Sequence, residues 1–419
     1  MNDNIINAKA LFKLTEHLPT VNDALDLYIH LERFVNEGSP SGFHVRIPEP
    51  YTPLGSSESF SLPIFTCERF RVIQVGNLPG GWASKFATSN KLPMPIHPLF
   101  VDQLLSEHPD LSLNPDIVIN VQPTSSGRTV IRKEDFNDTH FIKLHYPEII
   151  GRFSRDLSLH KWLAAIENSR ELKSIVNKFP QQVAFLDEFG GIFLEGGNGY
   201  RGFGVIFRDS QPSPKIAGLK ILLPAFSLFS RQGLGSQGTP LLAYLLSGTA
   251  QPLELFFNGF IDTVLTGYFY LSTKWGLIPE CNAQNVLYEI DIESGQTRAI
   301  FRDVGDMFKD ITIRKSLGLH TLFCSYKTID RSRDADFYMR RSFAFDFKLG
   351  EYLILPLLTT FANIFKYDLD KLIKMVRNSV EQLLSGQEYF GAPNVWYAYP
   401  RQKIVSRNTY ESRSNPLFR

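Results

Sequence analysis

An α+β fold, with antiparallel strands in the first half and mainly helices in the second, is what three features of the sequence predict. From Gly38 onward, short β-branched and aromatic runs such as SFSLPIF and RFRVIQV alternate with Pro, Gly and Ser punctuation. Beyond residue 239, apolar residues recur at helical spacing over long windows. One hairpin pattern, NVLYEIDIESGQTRAIFRDVG, interrupts these helices, its alternating sides meeting at a Ser-Gly turn. At 419 residues the chain is long enough for two or three domains of about 150 residues each.

In order, residues 5–37 place Leu11, Leu14, Leu18, Leu25, Leu27, Ile29, Leu31 and Phe34 at helical spacing, with Thr20 and Asp23 as a helix start. Strand-like text fills residues 38–81, and a proline-bounded helix is expected between Leu92 and Asp116. Strands follow at Ile117–Val121 and Thr129–Ile131, then a helix over 156–178. Two further strand runs, Val183–Leu194 and Phe203–Phe207, flank a glycine-rich link. Helices are expected at 239–247, 252–275, 353–365 and 367–384. The chain contains no internal repeat and no low-complexity linker.

Composition narrows the function classes. Lys and Arg total 44 against 43 Asp and Glu, a net charge of +1, so no global field favours nucleic acid or an acidic membrane. Hydrophobic residues at 43% and charged residues at 21% describe a globular chain, with 34 phenylalanines to fill its core. The cysteines Cys67, Cys281 and Cys324 are odd in number and far apart, which argues against a disulfide scaffold and a structural zinc site. The N-terminus lacks the basic and long apolar regions of a secretory signal. Tyr352–Phe365 is shorter than the ~20 residues of a membrane helix and contains Pro356. A reduced, cytoplasmic, soluble protein is expected.

Four places could carry chemistry, each with a plainer reading beside it. In EGGNGYRGFG, Gly197, Gly199 and Gly202 form a GxGxxG arrangement, but the following FGVIFRD reads as a strand, so the run fits a hairpin loop better than a dinucleotide fingerprint. Thr124, Ser125, Ser126, Gly127, Arg128 and Thr129 follow a strand; small hydroxyls, a glycine and a guanidinium suit an anionic phosphate or carboxylate, and they also suit a polar turn. Lys143, Arg152 and Arg155 run from a strand toward a helix start, where they could hold anionic oxygens or simply face solvent. Glu280, Asn282, Gln284 and Asn285 crowd in front of the hairpin that Arg302-Asp303 closes, offering either hard oxygen ligands for Mg²⁺ or a hydrogen-bonded turn.

Taken together, these segments resemble the siderophore synthetases that work independently of nonribosomal peptide synthetases, the aerobactin-synthetase-like family. The ordered set is Ile96-His97-Pro98, Ser126-Gly127-Arg128-Thr129, Lys143-Leu144 leading to Arg155, Glu280-Cys281-Asn282-Ala283-Gln284-Asn285, and Arg302-Asp303, with Lys403, Arg407 and Asn415-Pro416 resembling the closing segment. The resemblance covers about residues 90–419. It implies a cupped-hand fold: a reduced thumb-like region over 1–90, a fingers region with an antiparallel sheet and phosphate loop over 91–238, and a mainly helical palm over 239–419. It also implies ATP and Mg²⁺ as cofactors, and a polycarboxylic acid such as citrate joined to an amine or hydroxyl nucleophile through an acyl-adenylate. A homodimer is the assembly it suggests.

Site roles follow from the same resemblance. Ser126, Arg128 and Thr129 would bind ATP, with Gln284 and Asn285. Lys143 and Arg155 would hold the triphosphate or the acid, and with Arg128 and Asn282 they form the expected catalytic set. Glu280, Asn285 and Asp303 would position Mg²⁺. Three departures stand out. The motif histidine is Asn282, which cannot carry the charge of an imidazolium or shuttle a proton near neutral pH. Gly151 stands where a hydroxyl residue is expected, and Gly38-Ser39-Pro40 is all that remains of an N-terminal Gly-His-Pro segment. They favour a second reading, a non-catalytic homologue that binds nucleotide or carboxylate, or an accessory subunit of such a synthetase.

Overall fold

The computed structural model describes every residue except 1–4, 37–46, 81, 83–89, 110, 134–138, 151–152, 197–200, 233, 235–237, 320–326, 392–395, 399–410 and 414–415. Two compact units emerge: a helical unit of residues 1–42, 177–185 and 214–419, and a sheet unit of 43–176 and 186–213. Compactness therefore divides the chain differently from the three consecutive regions read from the sequence, and groups the opening helices with the second half.

The chain opens in the helical unit with α1 (Lys9–Thr15) and α2 (Ala24–Phe34). Asp23 caps α2 as its spacing predicts, its side chain accepting from Asp26 N at 2.8 Å. The sheet unit then supplies β1 (Phe60–Leu62), β2 (Ile64–Glu68), β3 (Val72–Gly76), β4 (Lys91–Pro95), α3 (Val101–Glu107), β5 (Ser112–Leu113), β6 (Ile119–Pro123), β7 (Thr129–Arg132), β8 (His140–Lys143), β9 (Tyr146–Ile150), β10 (Phe153–Arg155) and α4 (Leu159–Ile175). The run expected as one strand over 183–194 is two, β11 (Val183–Leu186) and β12 (Gly190–Leu194), broken by Asp187-Glu188-Phe189. β13 (Phe203–Asp209) and the short β14 (Pro212–Ser213) follow.

The sheet unit is built on seven strands in the order β1-β6-β7-β8-β13-β12-β3, every neighbouring pair antiparallel. Period-2 alternation gives the sheet two apolar faces. Ile192, Leu194, Val205 and Phe207 join one large core with Phe65, Met94 and Ile142, while Phe193 and Ile206 meet Trp162 and Ile166 of α4. Trp162 lies flat on the strands because Gly191 and Gly204 leave room for it: a Cβ at either would come within 2.6 Å of the indole. Its Nε1 donates to Val205 O at 2.9 Å. β12 and β13 pair antiparallel from Leu194↔Phe203 to Gly190↔Phe207, and the text after the glycine run is a strand as expected. Gly197 and Gly199 themselves lie outside the described residues.

In the helical unit, β15 (Lys220–Pro224) leads through α5 (Ala225–Phe229), α6 (Leu241–Leu245), α7 (Pro252–Phe256) and α8 (Asp262–Lys274) to β16 (Leu277–Ile278), β17 (Val286–Asp291) and β18 (Thr297–Phe301). β17 and β18 form the expected hairpin, Val286↔Phe301 to Ile290↔Thr297, and Gly295 takes the turn at φ +68°. β11 pairs with β18 in parallel, a departure from the antiparallel expectation that arises because β11 enters from a distant segment rather than a hairpin. The helix expected over 252–275 contains a π-helical turn at Phe257–Ile261, where Thr263 Oγ1 donates to Asn258 O at 2.7 Å. Then come β19 (Phe308–Asp310), α9 (Ile311–Ser316), β20 (Thr328–Ile329) and α10 (Phe337–Ser342). A π-helical segment, Phe343–Ile354, runs on into α11 (Leu355–Phe365), so the helix expected at 353 starts well before it; α12 (Leu369–Leu384) packs nearby.

The π-helical segment carries a buried carboxylate, Asp346, which accepts from Ser342 Oγ at 2.6 Å and from Arg419 Nε at 3.0 Å. Burial raises its pKa to about 6, against the opposing pull of the Arg419 guanidinium. A folded-state pKa above the unfolded value gives stability that is full below about pH 4 and lost as pH rises through 6. Between pH 4 and 6, Asp346→Asn should therefore gain on the wild type by on the order of 1.4 kcal/mol per pH unit crossed. Urea unfolding of both proteins across this range measures it; a constant difference would contradict the shift.

Candidate functional site

In the sheet unit, β6 and β7 are joined by a tight turn. Gly127 N donates to Thr124 O at 3.1 Å, and Gly127 has φ +71°, a backbone that only glycine adopts without strain. Thr124 Oγ1 donates to Thr129 O at 2.6 Å, and Ser126 Oγ accepts from Thr129 N at 2.8 Å. Thr129 thus closes the turn with its backbone and is buried, whereas Ser126 and Arg128 are partly exposed. The Arg128 guanidinium donates from Nη1 to Arg155 O at 2.5 Å, fastening the turn to β10.

Beside the turn lie two neutral imidazoles. Burial pushes His145 down to about 4, with Arg128 and Lys161 adding to the shift against Asp156, and its Nδ1 accepts from Leu157 N at 3.1 Å. His97 is likewise pushed down to about 4 by burial, its Nδ1 accepting from Leu99 N at 3.3 Å. Positive charge near the turn therefore belongs to arginine and lysine.

Lys143 on β8 stands opposite Thr129 and Ile206. It is only 4% exposed, with its ammonium 3.7 Å from Glu188 Oε1. Glu188 is fully buried and takes Arg208 at 2.6 Å through the same oxygen. The lysine that the sequence offers to a ligand is thus embedded in an ion-pair triad, where a carboxylate and two cations need one another.

The Glu280 motif forms one turn before β17 in the helical unit. Asn282 Oδ1 accepts from Gln284 N at 3.0 Å and from Asn285 N at 3.1 Å, an Asx turn, and Asn282 Nδ2 faces Glu280 Oε1 at 3.5 Å. Arg302 joins this turn to the hairpin end: its N donates to Asn285 O at 3.0 Å and its Nε to Gln284 O at 2.6 Å. Its Nη1 reaches back to Tyr28 OH at 3.0 Å and Glu32 Oε1 at 2.5 Å on α2. Asp303 follows in the left-handed region at φ +59°, a strained position for a residue with a side chain. The Glu280 carboxylate meets two ammonium groups, Lys348 at Oε1 and Lys327 at Oε2, the latter at 3.7 Å. Lys327 also pairs with Asp306 at 2.7 Å.

Residues 71–230 match the IucA / IucC family. Solved relatives share its fold across nearly its whole length. Aerobactin synthetase IucA from a hypervirulent pathotype of Klebsiella pneumoniae, in its ATP-bound form, matches at a TM-score of 0.74 and 14% identity over 98% of this chain and 80% of that one. The petrobactin biosynthesis protein AsbB from Bacillus anthracis str. Sterne matches at 0.70 and 13% identity, over 93% of this chain and 75% of its own. Aerobactin synthetase IucC from the same Klebsiella pathotype gives 0.66 and 14%, over 98% and 80%. No curated protein sequence matches the chain.

The expected site residues fall into two clusters in different compact units: Ser126, Arg128, Thr129, Lys143 and Arg155 in one, Glu280, Asn282, Gln284, Asn285 and Asp303 in the other. Among the described residues no group of three or more His, Cys, Asp or Glu could hold a metal ion; the expected metal set of Glu280, Asn285 and Asp303, with two carboxylates and an amide, is of another kind. Gly38-Ser39-Pro40, Gly151, Arg152, Cys324, Lys403, Arg407 and Asn415 lie outside the described residues. Among the described residues no helix is long and apolar enough to cross a membrane. Sequence reasoning missed Lys348, Lys327, Glu188 and Glu32. Lys348 left a signal, being the one cation in the apolar run FAFDFKLGEYLI; Glu32 left none, since only folding brings it to Arg302.

Proposed function

We propose that the chain is an ATP-dependent synthetase of siderophore biosynthesis, joining citrate or a related polycarboxylic acid to an amine or hydroxyl group. The observation that carries this reading is the Ser126-Gly127-Arg128-Thr129 turn, fastened to Arg155, in a fold shared with ATP-bound aerobactin synthetase. A carboxylate is a poor electrophile. Attack of its oxygen on the α-phosphorus of ATP releases pyrophosphate and leaves an acyl-adenylate, from which the nucleophile displaces AMP.

The residues suit the first step. Ser126 Oγ accepts from the Thr129 amide, which leaves its own hydrogen to donate to a phosphate oxygen. Arg128 presents a planar fork whose orientation the Arg155 carbonyl fixes, so no reorganisation is needed as charge develops. Arg155 would hold the acid or the triphosphate, and Lys143 would add positive charge from within the sheet. Gln284 and Asn285 would serve the nucleotide. Mg²⁺, when bound, would offset phosphate charge; Asn285 and Asp303 offer it oxygens, whereas Glu280 is engaged by lysines.

A second reading, a non-catalytic homologue, draws support from Asn282, whose side-chain oxygen is committed to its own turn. Incubation with ATP, Mg²⁺, hydroxylamine and citrate, 2-oxoglutarate or succinate separates the two. Acid-dependent pyrophosphate release is expected; ATP binding without release would favour the second reading.

A further inference from the structure

The surroundings of Glu280 conflict with a role as a metal ligand. Its carboxylate is 17% exposed, and Lys348, 15% exposed, reaches Oε1 from the π-helical segment. Asn282 Nδ2 faces the same oxygen at 3.5 Å, and Lys327 stands 3.7 Å from Oε2. The Lys348 ammonium also lies 5.5 Å from the centre of the Phe343 ring, whose face favours a cation. Its neighbours Phe347 and Leu349 are buried, so the backbone that presents this lysine is anchored on both sides. Lys327 is itself held by Asp306 Oδ1 at 2.7 Å. A divalent cation on Glu280 would have to expel Lys348 from Oε1 and sit beside two positive charges at short range.

We propose that Lys348 takes the place of a metal ion at Glu280, so that this turn meets the polyphosphate of a nucleotide with ammonium groups rather than with a Glu280-bound cation. The nucleotide as the anion rests on the function proposed above; the exclusion of metal from Glu280 does not. Lys348 acts here as a fixed counter-ion. The carboxylate holds the ammonium in place, and Asn282 adds a neutral donor on the same side.

Mn²⁺ binding to the full chain without nucleotide, read by the electron paramagnetic resonance of the free ion, tests the assignment in wild type, Glu280→Gln, Lys348→Met, Lys348→Arg and the Glu280→Gln/Lys348→Met double variant. Wild type, Glu280→Gln and Lys348→Arg should bind Mn²⁺ alike. Lys348→Met should bind it at least about tenfold more tightly, and the gain should vanish in the double variant. A tenfold loss from wild type to Glu280→Gln, or a folded Lys348→Met with no gain, overturns the proposal. If Lys348→Met does not fold, the comparison of wild type with Glu280→Gln decides. A non-hydrolysable ATP analogue should bind wild type in EDTA and bind Lys348→Met at least tenfold more weakly there. Failure of the analogue to bind wild type with or without Mg²⁺ would refute the nucleotide reading, while the Mn²⁺ series would still decide the role of Lys348.

Discussion

Replacing Arg302 with alanine should lower the unfolding free energy by about 3–5 kcal/mol, the cost of leaving a buried charge without its partner. Arg302 is 8% exposed and Glu32 1% exposed, so the carboxylate left behind has no route to water. The same substitution removes the bond to Gln284 O that ties the Glu280 turn to the hairpin. Urea denaturation measures the loss. Adding Glu32→Gln should recover part of it, because a neutral amide costs less to bury than an unpaired carboxylate. A loss under about 1 kcal/mol would mean that water reaches Glu32 in solution.

Arg128→Ala should lower acid-dependent pyrophosphate release by about 10²–10³-fold, the scale for removing a preorganised donor from developing charge. Arg128→Lys separates charge from geometry: the ammonium keeps the charge but cannot hold the Arg155 carbonyl and a phosphate with one planar fork. It should therefore recover only a small part of the rate. Turnover like wild type in either variant, with an unchanged circular dichroism spectrum, would remove Arg128 from the site.

Local chemistry was legible wherever it is written in consecutive residues. Asp23 announced its helix, Ser294-Gly295 its hairpin turn, and Gly127 the turn between β6 and β7, because caps and left-handed backbone depend on near neighbours. The text after the GxGxxG run reads as a strand, and Phe203–Asp209 is one, paired antiparallel with the strand before the run. Partners across the fold were not legible. Lys143 reads as a ligand cation in sequence, yet its counter-ion Glu188 comes from the segment between β11 and β12, strands that belong to different sheets. The break at Asp187-Glu188-Phe189 was hidden by continuous apolar text on both sides, since two buried strands and one long strand share that pattern. The π-helical segment was equally hidden, because an apolar helix reads alike whether its turns are wide or regular.

The helical unit is assembled from three stretches of chain, and its brace from Glu32 to Arg302 spans 270 residues. Ordering such a loop costs entropy before the contact returns any stability. On the ribosome, the Glu32 carboxylate of α2 must wait for its guanidinium until Arg302 has been synthesised, and α2 itself must wait for β15, on which it packs. The sheet unit needs nothing beyond residue 213, so it can condense while its neighbour is still being made. Chaperone demand should therefore fall on the first 42 residues. A truncated translation product ending between residues 213 and 302 should display a protease-resistant sheet unit and protease-sensitive opening helices.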